Sequence, residues 1–161
     1  MNYQIKVVSP KKEIFLRQCL QIAKENHVSR GGKIAYADAP KNACEYLICA
    51  CHGDVVIGYL GVNLNIRREI IIVQSAVREE FRGQGIGSCL MNYLKHHSLD
   101  GNVIISFVDK DNFASRKIHL KNGFQEIEED YDFAYFLNTS EVENNKILEY
   151  DEEQDFEQEQ F

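Results

Sequence analysis

Residues 69–88 read EIIIVQSAVREEFRGQGIGS, and the way this stretch divides decides the fold. Glu69 to Val77 is nearly all apolar, the composition of a strand covered on both faces. Arg82-Gly83-Gln84-Gly85-Ile86-Gly87 is a glycine-dense turn, and from Gly87 to about His97 the apolar residues Leu90, Met91 and Leu94 recur at helical spacing. A buried strand that runs through a glycine turn into a helix is a site for a diphosphate. Glycine lets phosphate oxygens approach the main chain, the first N–H groups of a helix lack an internal acceptor, and the helix dipole favours negative charge there. Arg82 adds a charge-assisted donor beside the turn.

Working outward, Asn102 to Val108 reads as a second buried strand, so residues 69–108 form a strand–helix–strand unit whose crossover should be parallel and right-handed. Upstream, Tyr3 to Val8 is a strand, and Ser9-Pro10 supplies a cap with proline at the first helical position. Phe15, Leu16, Cys19, Leu20 and Ala23 then give a helix that faces a sheet until the polar stretch from Asn26. Ser29 to Ala43, with Gly31-Gly32 and Pro40, is irregular or at most one short helix. Glu45–Cys51 and Val55–Leu64 flank the turn His52-Gly53-Asp54 as an antiparallel pair. Downstream, Phe113 to Asn122 is helical and stops at Gly123, and residues 124–137 give one or two closing strands, Tyr131 to Leu137 the clearer. The expected class is α/β, a three-layer sandwich around a mixed sheet.

Composition narrows the function. The 161 residues suit one domain, assigned to residues 1–138. The formal charge of −7 is misplaced as a global property: residues 139–161 hold nine acids and one base, and the remainder carries 17 bases against 16 acids. A near-neutral body lacks the basic face that nucleic-acid binding needs. The acidic tail reads as a solvated extension, or as a lure for a cationic substrate or basic partner. Its Ser140-x-x-Glu143 could cap a short helix that reaches Ile147, Leu148 and Tyr150. No apolar run has membrane-spanning length and Met1–Pro10 lacks a signal-peptide layout, so a cytoplasmic protein without membrane attachment is expected, as monomer or homodimer. Five cysteines without C-x-x-C spacing indicate reduced, packed thiols, with no metal site.

The glycine turn does not match a Walker loop, and Ser88 stands where a dinucleotide fingerprint needs its last glycine. Arg82-x-x-Gly85-x-Gly87 does resemble the cofactor motif of the GNAT superfamily of N-acetyltransferases, R/Q-x-x-G-x-G/A. A second element agrees: Asn112-x-x-Ser115-x-x-Ile118-His119-x-Lys121-x-Gly123-Phe124 is similar to that family's N-x-x-A-x-x-L-Y-x-K-x-G-F helix at unchanged spacing. The resemblance covers residues 3–137. It implies acetyl-CoA as cosubstrate, a primary amine on a small molecule or protein as acceptor, and a sheet splayed at its centre. Pantetheine would lie in that gap, paired with main-chain groups near Ala76 and Val77. The amides of Gly83, Gln84, Gly85, Ile86, Gly87 and Ser88 would take the diphosphate, with Asn112 and Ser115 touching the cofactor from the other side. Asn112 also reads as a helix cap. Lys110, Arg116, Lys117 and Lys121 either meet the ribose phosphate or form a solvated helix face.

Acyl transfer needs a neutral amine, an oxyanion donor and a proton for the leaving thiolate. The family resemblance gives the oxyanion to a backbone N–H near Val77. The chain departs from the pattern at His119, where the family usually has tyrosine. An imidazolium, with a pKa of about 6.5, is a stronger acid than a phenol at about 10. His119 is therefore either the acid for the thiolate or a half-buried helix residue. Glu69, thirteen residues before Arg82 at the opening of the strand that leads to the glycine turn, resembles in position the general-base glutamate of the histone acetyltransferase branch; burial in an apolar strand would move a carboxylate toward the range useful for a base. The bland alternative for Glu69 is a solvated ion pair with Arg67-Arg68. His119 is also the main support for a different reading, a non-catalytic acyl-CoA-binding module.

Overall fold

The computed structural model describes residues 2–29, 38–98, 102–128 and 132–138, with main chain alone at 27–29, 128 and 132–134. In chain order these residues form β1 (Gln4–Val8), α1 (Glu13–Ser29), α2 (Ala39–Asn42), β2 (Tyr46–His52), β3 (Val55–Leu64), β4 (Ile70–Val77), a single 3-10 turn (Glu79–Phe81), α3 (Ile86–His97), β5 (Val103–Asp109), α4 (Phe113–Lys121), β6 (Gln125–Glu128) and β7 (Asp132–Asn138). The strands lie in the order β1-β2-β3-β4-β5-β7-β6. Only the central β4–β5 pair is parallel, as expected of two strands joined through a helix.

Strand alternation sends side chains to two separate cores. On one face Val8, Leu47, Cys49, Val56, Tyr59 and Ala76 pack against Cys19, Ile22 and Ala23 of α1. On the other Ile48, Ala50, Ile57, Leu60, Ile72, Ile104 and Tyr135 pack against Ile86, Leu90, Met91 and Leu94 of α3. The α4 helix lies on this second side: a Cβ on Gly87 of α3 would stand 3.3 Å from Ile118 Cδ1. The result is the three-layer α/β sandwich with a mixed sheet.

One irregularity positions everything functional. In the β3–β4 ladder Gly61 faces Gln74 and Val62 faces Ile72, so Val73 is an extra, bulged residue. The bulge reverses which face the later residues occupy. Ile70 and Ile72 point into the α3 core, whereas Ala76, an even number of residues further on, points into the α1 core. The same point marks where β4 leaves β5: parallel pairing is confined to Ile70–Ile72 with Ile104–Ser106, while β4 runs on to Val77 and β5 to Asp109. The sheet is splayed at its centre.

Several boundaries differ from the sequence reading, each for a local reason. Pro10 is not the first residue of α1. Ser9 accepts from Lys11 N through its hydroxyl and from Lys12 N through its carbonyl, closing a separate turn, and the helix begins at Glu13. It then continues past Asn26 to Ser29, and its buried stripe uses Ile22, which the sequence reading passed over, while Leu20 is only partly covered. Glu69 lies outside β4 because its carbonyl accepts from Asn65 N at 3.1 Å to close the β3–β4 turn. Asn122 is the cap of α4, which ends at Lys121.

Neither β4 nor β5 is covered on both faces. Ser75 is exposed, Ile71 and Val73 are half-buried, and Phe107 is 60% exposed. The reason is reach: α1 and α2 pack on β3 and β4 and leave one face of β5–β7–β6 bare of helix among the described residues. Gly31-Gly32, the start of the strand assigned from Tyr131, and the acidic tail with its Ser140–Glu143 cap lie outside the described residues. Within them, no helix is long and apolar enough to cross a membrane, and no group of three or more His, Cys, Asp or Glu side chains could hold a metal.

Candidate active site

The glycine turn is shaped as an anion cradle. Gly83 and Gly85 adopt φ of 75° and 82°, the left-handed region that glycine enters without a Cβ penalty. Gly85 is the N-cap of α3 and its carbonyl accepts from Cys89 N at 2.9 Å, which sets the first turn. The amides of Ile86, Gly87 and Ser88 consequently have no intrahelical acceptor. No side chain caps them and no acidic residue stands in that turn. A Cβ on Gly83 or Gly85 would meet nothing within 4 Å, so the turn is open outward, where an anion would arrive. Gly58 is needed for a different reason: a Cβ there would stand 3.1 Å from both Ile86 and Val77 side chains and push the helix start off the sheet.

The gap between β4 and β5 opens directly behind this helix start. Arg78 N donates to Ile57 O at 2.9 Å, and that bond sets the phase of the β3–β4 ladder. Ala76 exchanges main-chain bonds with its partner Tyr59, whereas Ser75 and Val77 direct their N–H and C=O groups away from β3, toward the gap. The main chain of Ala76 is therefore turned away from the gap, contrary to the sequence reading, and Ser75 takes its place. Strand alternation on β4 identifies Ser75 only once the Val73 bulge and the β3 register are known.

Arg82 has protein partners of its own. Its Nε donates to Val77 O at 3.2 Å and its Nη2 to Asn26 Oδ1 at 2.9 Å. Asn26 Nδ2 also donates to Val77 O at 3.3 Å. Both lone pairs of the Val77 carbonyl are thereby engaged, which leaves the Val77 N–H and the main chain of Ser75 facing the gap. Arg82 acts as a clamp joining the turn, the end of β4 and α1.

On the opposite wall, Asn112 caps α4: its Oδ1 accepts from Ser115 N at 3.3 Å. His119 is 2% exposed, with its ring against those of Phe124 and Tyr135 at 5.1 and 4.6 Å. Its Nδ1 lies 2.8 Å from Ser115 O, an atom that can only accept, so Nδ1 carries the proton. Burial pushes the imidazole below its ordinary pKa, partly opposed by the bond to Ser115. His119 is thus a neutral ring whose Nε2 is a buried acceptor without a partner among the described residues. Ser115 and Asn112 lie one and two turns before it on α4, and Asn122 ties the far end of α4 to α3 through Ser88 Oγ at 3.4 Å.

Glu69 sits apart from these residues. Its carboxylate accepts from Asn65 Nδ2 at 2.6 Å and its N–H donates to Asn65 Oδ1 at 3.0 Å. It lies three residues before the point at which β4 leaves β5, so the structure does not bring it into contact with the glycine turn or with His119. Of the four bases on and near α4, Arg116 is joined to Glu126 at 3.4 Å, and Tyr135 donates to the same carboxylate. Arg116, Lys117 and Lys121 with Phe113 and Leu120 line a shallow groove on the outer surface of α4.

Comparison with known proteins agrees with this geometry. Residues 14–124 match the family model described as Acetyltransferase (GNAT) family. No curated protein is a significant match. Among solved structures, Ard1 of Thermoplasma volcanium is 23% identical, with 84% of this chain and 95% of that one covered at a TM-score of 0.61. A GNAT-family acetyltransferase of Staphylococcus aureus Mu50 is 13% identical over 84% of this chain and 99% of that one, with a TM-score of 0.67. The PaiA N-acetyltransferase of Thermoplasma acidophilum, solved in complex with coenzyme A, is 15% identical over 86% and 99% of the two chains, with a TM-score of 0.63. With a family model spanning most of the described residues and the splayed sheet behind a glycine-opened helix, this chain belongs to the GNAT acetyltransferase family.

Proposed function

We propose that this protein transfers an acetyl group from acetyl-CoA to a primary amine. The observation that carries the reading is the coincidence of two features: β4 parts from β5 after Ile72, and the uncapped amides of α3 begin just beyond the end of β4. That pairing suits a ligand with an anionic head and an extended, amide-bearing arm, and acetyl-CoA supplies the thioester. The amides of Gly83 to Ser88 hold the diphosphate against the helix dipole. The gap-facing main chain of Ser75 and Val77 pairs with the arm as an added strand would, and one of their N–H groups meets the developing oxyanion. Asn112 and Ser115 border the arm from α4.

The amine nitrogen attacks the thioester carbon, the C–S bond breaks with coenzyme A leaving as its thiolate, and the nitrogen gives up a proton. Glu69 takes that proton through water, given its separation from the gap. A neutral His119 does not donate from Nε2, so its part is to accept a hydrogen bond or to pack. Calorimetric titration with CoA, followed by thiol release from acetyl-CoA across a panel of amines, tests the reading; CoA that fails to bind overturns it. The buried, neutral His119 in the tyrosine position favours one second reading, an acyl-CoA-binding module without turnover. Tight CoA binding with no thiol release from any amine would select that second reading.

A further inference from the structure

Among the described residues, the acceptor has one open side from which to arrive. On the α3 and α4 side the gap is backed by the buried cluster around Ile72, Ile104 and Leu90, and the diphosphate site occupies the start of α3. The amine must therefore approach across the opposite face of the sheet, next to α1. On that face the register aligns Ile71 with Ile105 and Ile105 with Phe136, and sets Phe107 and Ile127 both opposite Ala134. Alternation places Ile71, Ile105, Phe107, Phe136 and Ile127 together, and none of the five belongs to either buried cluster. Phe107 is 60% and Ile127 51% exposed, and the other three are half-buried.

This patch is continuous with the gap, since Ile71 and Ile105 form one of the last pairs before the two strands separate. No described residue of β4, β5, β6 or β7 on this face is basic; the strand base that shares the face, Lys6, lies on β1 over the Phe15 ring at the other edge of the sheet. Its carboxylates stand at the rims, Asp109 at the far end of β5 and Glu69 one residue before β4. Such a face repels nothing cationic at its edges, yet its interior has no partner for a second charge, and burying an unpaired ammonium there would be costly. A large apolar group beside the reacting amine would instead cover the exposed rings.

We propose that this face is the acceptor subsite, and that the substrate is a primary amine flanked by a bulky apolar group rather than a polyamine or a lysine side chain. The inference rests on the acetyl-transfer reading above. The class has two sources, a free arylalkylamine or the N-terminus of a peptide with large apolar first residues. The test compares kcat/KM for 2-phenylethylamine, a peptide beginning Met-Leu, spermidine and a lysine peptide with blocked N-terminus, using the full chain and its Phe107→Ser and Ile127→Ser variants.

The expected result is at least tenfold preference for one of the apolar amines, lost by about tenfold in either variant while the KM for acetyl-CoA stays within twofold. In a separate binding readout, that amine should raise the Tm of the wild-type CoA complex and not that of the Phe107→Ser complex. Preference for spermidine or the lysine peptide, with thiol release intact, overturns this inference alone. Absence of thiol release from every amine overturns the transferase reading and this one with it. A wild-type dimer that Phe107→Ser converts to a monomer also overturns it, because the face would then be an interface between two copies.

Discussion

Arg82 Nη2 lies 2.9 Å from Asn26 Oδ1, so the arginine that opens the glycine motif is bound to the end of α1 rather than pointing freely at a phosphate. The same guanidinium reaches Val77 O through Nε. Its flat fork suits two acceptors at once, which a lysine ammonium cannot reproduce. Arg82→Lys should lower stability by about 1.5–3 kcal/mol, the range for a hydrogen bond with a charged partner. Asn26→Ala should reproduce a part of that loss and of the accompanying rise in the KM for acetyl-CoA. Denaturant melts and acetyl-CoA titrations check both; a wild-type KM in Asn26→Ala would show that Arg82 acts on the cofactor directly.

At Gly85 the strain is conformational and not steric, because φ is 82° and a Cβ would meet nothing within 4 Å. Gly85→Ala is expected to cost roughly 1–2 kcal/mol as a left-handed alanine. If the chain relieves that cost by shifting the turn, CoA affinity should fall at least tenfold with unchanged helix content. Calorimetry and far-UV circular dichroism on one sample separate the two effects.

His119 makes stability depend on acid. Burial lowers its pKa when folded, so between that value and the unfolded value of about 6.5 the unfolded chain binds the additional proton. Stability from this group is complete above about pH 6.5 and declines as pH falls toward the folded pKa, by at most about 1.4 kcal/mol per pH unit. His119→Phe, which keeps an aromatic ring between Phe124 and Tyr135, should flatten that part of the profile. Thermal melts from pH 5 to 8 measure it. An unchanged acid slope in the variant would refute the buried neutral imidazole.

Glu69 is held by Asn65, with Nδ2 to carboxylate at 2.6 Å. Glu69→Gln should reduce kcat on the order of 10²-fold, as for loss of a general base, with the KM for acetyl-CoA little changed. Asn65→Ala, which frees the carboxylate without removing it, should give a smaller loss. Equal rates for Glu69→Gln and wild type would leave the carboxylate as a turn-closing group only.

Thiol chemistry offers a check on packing. Burial pushes the Cys44 thiol up to about 11 and Cys51 to about 12, and the bond to Cys19 with burial drives Cys49 strongly upward. The thiolate is the reactive form. At pH 8 these three cysteines should alkylate far more slowly than unfolded controls, with Cys44, the one that is half-buried, reacting first as pH approaches 11. Peptide mapping after iodoacetamide treatment reads the order.

Much of the molecule could be read from residue order. The apolar run to Val77, the glycines after it and the Leu90–Leu94 stripe required a strand, a turn and a helix in that sequence, because glycine's missing Cβ and helical periodicity are local properties. Asn112 as a cap and the glycine turn as the lead-in to a helix follow from the same kind of short-range chemistry, although the helix begins at Ile86, one residue before the Gly87 expected. What residue order could not supply was anything that depends on a partner from far along the chain. The bulge at Val73 exists only against β3, and the Arg78–Ile57 bond that turns the main chain of Ser75, not Ala76, to the gap is likewise a pairing with a distant strand. The clamp on Val77 joins residues 51 and five positions away, and the face of β5 left bare among the described residues results from α1 and α2 packing on β3 and β4 instead. Burial, which turned His119 from a plausible acid into a neutral acceptor, is a sum over neighbours from α4, β7 and the loop at Phe124. Local preferences are written residue by residue, while register, reach and dielectric are set only when distant segments meet.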